Sequence, residues 1–138
     1  MIIDATDLIL GKLASFTAKK ILNGEEVVII NAEKAVISGR KENIFEKYKK
    51  LVDIGDRFKG PFISKTPDKL LKRAIKGMVP RKRAKGRESL KKLKVYTEKP
   101  KNLEGEIITV DKINKVSLKD QKYVTLKDLC AWLKTKGD

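Results

Sequence analysis

The dipeptide Gly11-Lys12 stands where many phosphate-binding sites begin, after a short apolar segment and at the start of a helical pattern. In nucleoside triphosphatases the loop G-x-x-x-x-G-K-[ST] surrounds the phosphates with backbone N–H groups, and its hydroxyl binds magnesium. That motif needs a glycine in place of Thr6 and a hydroxyl residue in place of Leu13, so it fails twice. The dinucleotide-binding pattern G-x-G-x-x-G is also missing after the first apolar segment. We expect no nucleotide cofactor at this place.

Lys12 itself still needs an explanation, because a cation in the first turn of a helix opposes the helix dipole by roughly 0.3–1 kcal/mol. A phosphate bound against the free N–H groups of that turn would make the same position favourable. A solvated lysine without any ligand explains the residue equally well. Both interpretations of Lys12 stay open at the level of the sequence.

Residues 69–94 hold most of the positive charge of the chain. The whole chain has 33 lysines and arginines against 18 acidic residues, a net charge of +15. This segment has 12 basic residues and one acid, Glu88, which leaves +11 within it. Charge runs are usually solvated faces, but twelve bases with one acid do not relieve their own repulsion. The segment therefore predicts a polyanionic partner, with nucleic acid first and an anionic membrane surface second.

The residue types of this segment favour folded RNA. Arg81, Arg83 and Arg87 offer forked donors that suit phosphate oxygens and stacked bases. Aromatic residues are few across the chain, with four Phe, three Tyr and one Trp. This scarcity disfavours a stacking surface for single strands and favours recognition of backbone and shape.

Catalytic chemistry has little support in the sequence. The chain has no histidine, which excludes Ser-His and Cys-His nucleophiles and histidine-bound metals. Cys130 is the single cysteine, which fits a reducing cytoplasmic compartment and a small core residue. Asp53 and Asp56 could form a carboxylate pair, but Arg57 and Lys59 beside them favour local ion pairs. We expect no enzyme activity, no metal and no cofactor.

Hydrophobic periodicity predicts the elements that must position these groups. At 138 residues the chain suits one domain, and it contains no apolar run near the roughly 18 residues that span a bilayer. A first strand, a helix from Lys12 to Leu22 and a buried strand over 27–30 predict a right-handed βαβ unit. Further strands are predicted at 35–38, 94–96 and 106–110, and further helices at 44–52, from Pro67 to Met78, near 87–93 and after Thr125. The buried stripe of the helix that begins at Pro67 is predicted to contain Leu70, Leu71, Ala74, Ile75 and Met78.

The stretch IKGMVPRKRAKGRESLKKLKVY, residues 75–96, resembles the signature of the large-subunit ribosomal protein family conventionally numbered thirteen, in its archaeal and eukaryotic form. Segments of the N-terminal half resemble this family too: IIDA, LGKLAS, AKKIL, NAEKAVISG and FEKY. Glu98 departs from the pattern, since Gly, Asp or Asn is usual after the last strand of the signature. The resemblance covers about residues 1–100, and VTLKDL in the tail is similar to the end of archaeal members.

This resemblance implies a three-layer α/β/α domain around a four-stranded, mostly parallel sheet, with a basic loop and helix extension and a short C-terminal appendage. Residues 1–100 would form the ribosomal RNA-binding domain, and 101–138 an extension with a short helix, packed on that domain or on a ribosomal neighbour. The implied role is a structural constituent of the cytoplasmic large subunit that stabilises folded RNA during assembly. Its partners would be ribosomal RNA and neighbouring large-subunit proteins, with no membrane and no small-molecule substrate.

The resemblance and the charge run together predict twelve RNA-binding residues. These are Lys12, Arg40, Arg57, Lys59, Lys76, Arg81, Lys82, Arg83, Lys85, Arg87, Lys91 and Lys92. The alternative is a small α/β hydrolase that processes nucleotides or RNA in a basic cleft. The missing histidine, glycine-rich loop and metal cluster argue against that alternative.

Overall fold

The computed structural model describes residues 1–54, 65–101, 105, 107–108 and 122–136. Within these ranges the chain forms a mixed α/β fold, with a short 3₁₀ turn at Ala32–Lys34. The helices are α1 (Leu10–Leu22), α2 (Lys41–Asp53), α3 (Pro67–Gly77), α4 (Ala84–Leu90) and α5 (Leu126–Lys136). The strands are β1 (Ile2–Asp4), β2 (Val27–Ile30), β3 (Val36–Ser38), β4 (Leu93–Val95), β5 (Ile107–Ile108) and β6 (Tyr123–Thr125). The predicted RNA-binding residues Arg57 and Lys59 lie outside the described residues, as does Asp56.

The main sheet is built on three parallel strands in the order β4–β2–β1. Ile29 in the central strand lies between Ile3 of β1 and Val95 of β4. The two-residue strand β5 pairs in parallel with the other edge of β1, where Ile2 faces Ile107. The predicted strand–helix–strand unit is confirmed as β1–α1–β2, and so is a mixed α/β fold with a mostly parallel sheet.

A second, two-stranded sheet lies apart from the first. β3 pairs with β6 in antiparallel register, with Ile37 opposite Val124. β6 was not predicted from the sequence. The helix that follows β6 was predicted. At its start, the Asp128 backbone N–H donates to the Thr125 hydroxyl at 3.3 Å. That bond caps the N-terminus of α5, since a threonine side chain satisfies one of the free N–H groups of the first helical turn.

The hydrophobic core joins the sheet to helices from both halves of the chain. α1 packs against α3 and α4, and α5 packs against α2, α3 and the 3₁₀ turn. The Phe45 and Trp132 rings stack at 4.6 Å between centroids and join α2 to α5. Cys130 is buried, as predicted, and burial raises the pKa of its thiol to about 11. The helix predicted after Thr125 buries one apolar face, whose four members are Leu126, Leu129, Cys130 and Leu133.

The predicted stripe of α3 is wrong at its last residue. Leu70, Leu71 and Ile75 are buried, but Met78 is 47% exposed. The helix ends at Gly77, so Met78 no longer follows the helical period that would turn it inward. Val79 is buried in its place, at 5% exposure. The element boundaries near this point also differ, since α4 spans 84–90 where the pattern predicts a helix at 87–93.

Candidate nucleic-acid interface

The basic loop, residues 78–83, connects α3 to α4 and presents its charged side chains to solvent. Two hydrogen bonds shape it: Met78 N–H donates to the Ile75 carbonyl at 3.0 Å, and Arg83 N–H donates to the Pro80 carbonyl at 3.0 Å. Five predicted RNA-binding residues of this loop and α4 are exposed together: Arg81, Lys82, Arg83, Lys85 and Arg87. A tight loop on a short helix therefore concentrates cations on one part of the surface.

Gly86 explains how the basic loop is held against α4. A Cβ atom at Gly86 would lie 2.1 Å from the Pro80 carbonyl oxygen and 2.5 Å from its carbonyl carbon. Glycine inside a helix costs about 1 kcal/mol relative to alanine, and here the close backbone approach requires it. The loop is consequently packed directly on α4. Within α4, the Ser89 hydroxyl donates to the Lys85 carbonyl at 2.7 Å.

A groove of about 550 Å³, hereafter the α3 groove, runs along α3 to the start of the basic loop. Among the residues that the structure describes, its lining contains no acid: Lys69, Leu70, Lys72, Arg73, Lys76, Gly77 and Arg81. The structure therefore brings together Lys76 and Arg81, two of the predicted residues. It adds three cations that were not predicted, Lys69, Lys72 and Arg73. Their spacing with Lys76 is that of one helical face, and this pattern in the sequence could have identified them.

A second hollow, the α1–α2 cleft, has a volume of about 580 Å³ and brings Lys12 and Arg40 together. It lies where the first turns of α1 and α2 meet β3. Its full lining is Ile9, Leu10, Gly11, Lys12, Ile37, Ser38, Gly39, Arg40, Asn43, Ile44, Lys47 and Tyr48. A smaller hollow beside it is lined by Ser38, Gly39, Arg40 and Lys122. Lys47 and Lys122 were missed because nothing local in the sequence associates them with Lys12.

Asp4 fixes the turn that leads from β1 into α1 and so helps to place Lys12. Its Oδ1 accepts hydrogen bonds from the Thr6 N–H at 2.9 Å, the Thr6 hydroxyl at 2.6 Å and the Asn31 amide at 3.2 Å. Burial alone would raise the pKa of Asp4, but these bonds and nearby Lys34 outweigh burial, so the pKa lies below its ordinary value. The turn therefore depends on an ionised carboxylate.

Lys91 and Lys92 lie away from the α1–α2 cleft. The Lys92 ammonium donates to the Gly24 carbonyl at 3.2 Å, just beyond the C-terminus of α1. That carbonyl is twelve residues from Lys12, about 18 Å along a helix axis. A cation is favourable at the C-terminal end of a helix, so Lys92 has a structural contact of its own. Lys91 is exposed beside it.

Two other kinds of site find no support in the described part of the chain. Residues 1–54, 65–101, 105, 107–108 and 122–136 contain no group of three or more acidic or cysteine side chains placed to hold a metal ion. Across the same ranges, every helix is too short or too polar to cross a membrane.

The sequence of the chain matches known proteins over nearly its full length. The family model described as Ribosomal protein L13 matches residues 1–102. The chain belongs to the ribosomal protein L13 family. Similar proteins include the large ribosomal subunit protein uL13 of Methanococcoides burtonii, 44% identical over 136 residues and 98% of both chains. The uL13 of Archaeoglobus fulgidus is 43% identical over 99% of this chain and 88% of its own, and that of Thermoplasma acidophilum is 45% identical over 93% of each.

The similarity to L13-family proteins extends beyond the residues that resemble the family signature. The L13 model ends at residue 102, but the alignment to the M. burtonii protein spans 98% of this chain. The C-terminal elements β6 and α5 are therefore within the region that this L13 chain shares with whole relatives. The departure at Glu98 does not separate the chain from the family.

Proposed function

We propose that this L13-family protein is a structural constituent of the large ribosomal subunit that binds folded large-subunit ribosomal RNA and stabilises it during assembly. Its relatives are named large ribosomal subunit proteins, and they match nearly the whole chain. The observation that carries the proposal is the acid-free α3 groove, which continues into the exposed arginines of the basic loop.

The groove and the loop have the chemistry of a phosphate-binding surface. Lysine and arginine side chains that neutralise phosphates release condensed counterions, and this release provides most of the sequence-independent affinity. The four cations on the exposed face of α3 are held by a helix whose other face is buried in the core. The backbone of such a surface is ordered before RNA binds, so the ordering cost in the complex falls mainly on the exposed side chains.

The finer features of the proposal follow the L13 resemblance. We propose a three-layer α/β/α arrangement around four strands, with residues 1–100 as the RNA-binding domain and 101–138 as an extension. The protein acts in the cytoplasm, contacts neighbouring ribosomal proteins and performs no catalysis. Its twelve proposed contact residues are those predicted above, and the α3 groove adds Lys69, Lys72 and Arg73 to them.

The test combines co-sedimentation with a charge-matched pair of variants. The parent protein should remain with large ribosomal subunits in high salt. In filter binding to deproteinised large-subunit ribosomal RNA, the triple variant Arg81→Gln, Arg83→Gln, Arg87→Gln should bind about a hundredfold more weakly. The control variant Lys19→Gln, Lys49→Gln, Lys127→Gln removes the same charge from exposed positions on α1, α2 and α5. Equal losses in both variants would contradict the proposed interface.

A further inference from the structure

The α1–α2 cleft differs from the α3 groove in the chemistry of its lining. Five of the seven residues that line the α3 groove are lysines or arginines. The cleft has an apolar floor that includes Ile37, Ile44 and the half-buried ring of Tyr48. Its cations, Lys12, Arg40 and Lys47, are exposed, and the described part of the chain places no acid in its lining.

An RNA backbone alone does not account for such a floor. Phosphates are strongly hydrated and gain nothing from apolar walls, whereas a base has an apolar face that stacks on aromatic side chains with a gain of about 1–3 kcal/mol. The group that fits both parts of the cleft is therefore flat and apolar with a negative charge beside it. The volume of about 580 Å³ lies within the range of about 300–1,000 Å³ that ligand sites occupy.

We propose that the α1–α2 cleft receives one unpaired nucleotide of the bound RNA, with its base against Tyr48 and Ile37 and its phosphates at Lys12 and Arg40. This inference rests on the proposed function, because the nucleotide is part of the RNA that the α3 groove binds. Sequence-specific recognition of RNA uses bases that are unstacked in loops and bulges. The α3 groove thus supplies affinity for the backbone, and the cleft supplies selectivity for a particular RNA site.

Asn43 offers a direct way to close the cleft without changing its charge. Its exposed side chain lies on the cleft wall, in the first turn of α2. Asn43→Trp should fill the cleft, while Asn43→Ser keeps it open. For deproteinised large-subunit ribosomal RNA, we expect Asn43→Trp to weaken binding about tenfold or more and Asn43→Ser to stay within about twofold of the parent. The salt dependence of binding should be unchanged in Asn43→Ser. In Asn43→Trp it should be slightly weaker, since the excluded nucleotide takes its phosphates away from Lys12 and Arg40.

Chemical probing of the RNA bases gives the second measurement. The parent and Asn43→Ser should protect one unpaired base from modification that Asn43→Trp leaves reactive. Tyr48→Phe should keep this protection because the ring remains, and Tyr48→Leu should lose it. Circular dichroism melts of each variant establish that the proteins compared are folded at the temperature of the assay.

The outcomes separate the cleft from the function as a whole. If Asn43→Trp binds and protects the RNA as the parent does, the cleft holds no nucleotide although the proposed function stands. If the parent itself shows no preference for large-subunit ribosomal RNA over an unrelated structured RNA, the proposed function fails. Calorimetry with free adenosine and uridine monophosphates should show no binding below the millimolar range. Micromolar binding would mean that the cleft serves a free nucleotide, which overturns the inference.

Discussion

The α3 groove and the α1–α2 cleft have nearly the same volume, about 550 and 580 Å³, but they are assembled in different ways. Four of the five cations in the groove come from one face of one helix, and the fifth follows in the adjoining loop. The cleft combines side chains from α1, β3 and α2 with the residues just before each helix. A basic surface on a single helix needs only local structure, whereas the cleft needs three elements to meet correctly.

This difference determines what each surface depends on. The cations of the α3 groove stay in register as long as α3 is helical and its apolar face is covered. Lys12 and Arg40 come together only because β1, α1 and β3 are joined, through the Asp4 hydrogen bonds and the bridge between Ile9 and Val36. Changes in the core should therefore affect both surfaces, while local changes should affect one.

Leu71 and Lys72 are consecutive in α3, one buried and the other exposed, and their replacement should disrupt the groove in different ways. Leu71 is fully buried, so Leu71→Ala should lower the free energy of unfolding by roughly 2–5 kcal/mol. Lys72→Ala should change it by less than about 0.5 kcal/mol but weaken RNA binding. Thermal melts and filter binding on both variants measure this separation. A folded Leu71→Ala protein that binds RNA poorly would show that the groove requires more than its charges.

Gly86→Ala tests whether the basic loop must be packed on α4. The added methyl group would collide with the Pro80 carbonyl, so the loop has to shift, at a cost of about 1–3 kcal/mol in stability. We expect RNA affinity to fall about tenfold at a temperature where the variant is folded, with a weaker salt dependence because fewer phosphates are contacted. Ser15→Ala is the control, since Ser15 is exposed on α1 and is not among the lining residues of the α3 groove or the α1–α2 cleft. An unchanged salt dependence in Gly86→Ala would show that Gly86 contributes to stability and not to the number of phosphates contacted.

Asp4→Asn should have the smallest effect, and it concerns the cleft. The pKa of Asp4 is lowered in the folded protein, so its stabilisation is present above the unfolded pKa of about 3.9 and is lost as pH falls through the folded value. The parent should melt a few degrees above Asp4→Asn at pH 6, and the difference should narrow as acid protonates the Asp4 carboxylate. A melting difference that does not narrow at any acidic pH would mean that the carboxylate charge is not what holds the turn.

Elements with a strong local pattern could be predicted from the sequence. α1 and α3 follow their apolar spacing, β2 follows its β-branched run, and Thr125 caps α5 as its residue type suggests. The pairing of β3 with β6 could not be predicted, because two three-residue strands separated by more than eighty residues carry no local signal for each other. The sequence pattern wrongly predicts a buried Met78, because it extends the helical period one residue past the end of α3.

The residues of the candidate site also differ in whether the sequence alone could identify them. The charge of 69–94 is visible in the sequence, and the exposed face of α3 could have been predicted completely from its spacing. Lys47 could not have been associated with Lys12, because only the folding of α2 against β3 and the start of α1 brings them to one cleft. Gly86 lies within the stretch that resembles the family signature. The reason that a glycine is required there, a close backbone contact with Pro80, is visible only in three dimensions.

The most direct test of the central claim, that the α3 groove is the main RNA-binding surface, is the salt dependence of binding to large-subunit ribosomal RNA. With about six to ten phosphates neutralised, the affinity of the parent should fall on the order of a thousandfold or more between 50 and 200 mM salt. Lys69→Gln, Lys72→Gln, Lys76→Gln should reduce the slope of log Kd against log salt by about two to three. The control Lys19→Gln, Lys49→Gln, Lys127→Gln should leave it unchanged. A flat profile for the parent, or the same slope in the groove variant as in the parent, would contradict the account.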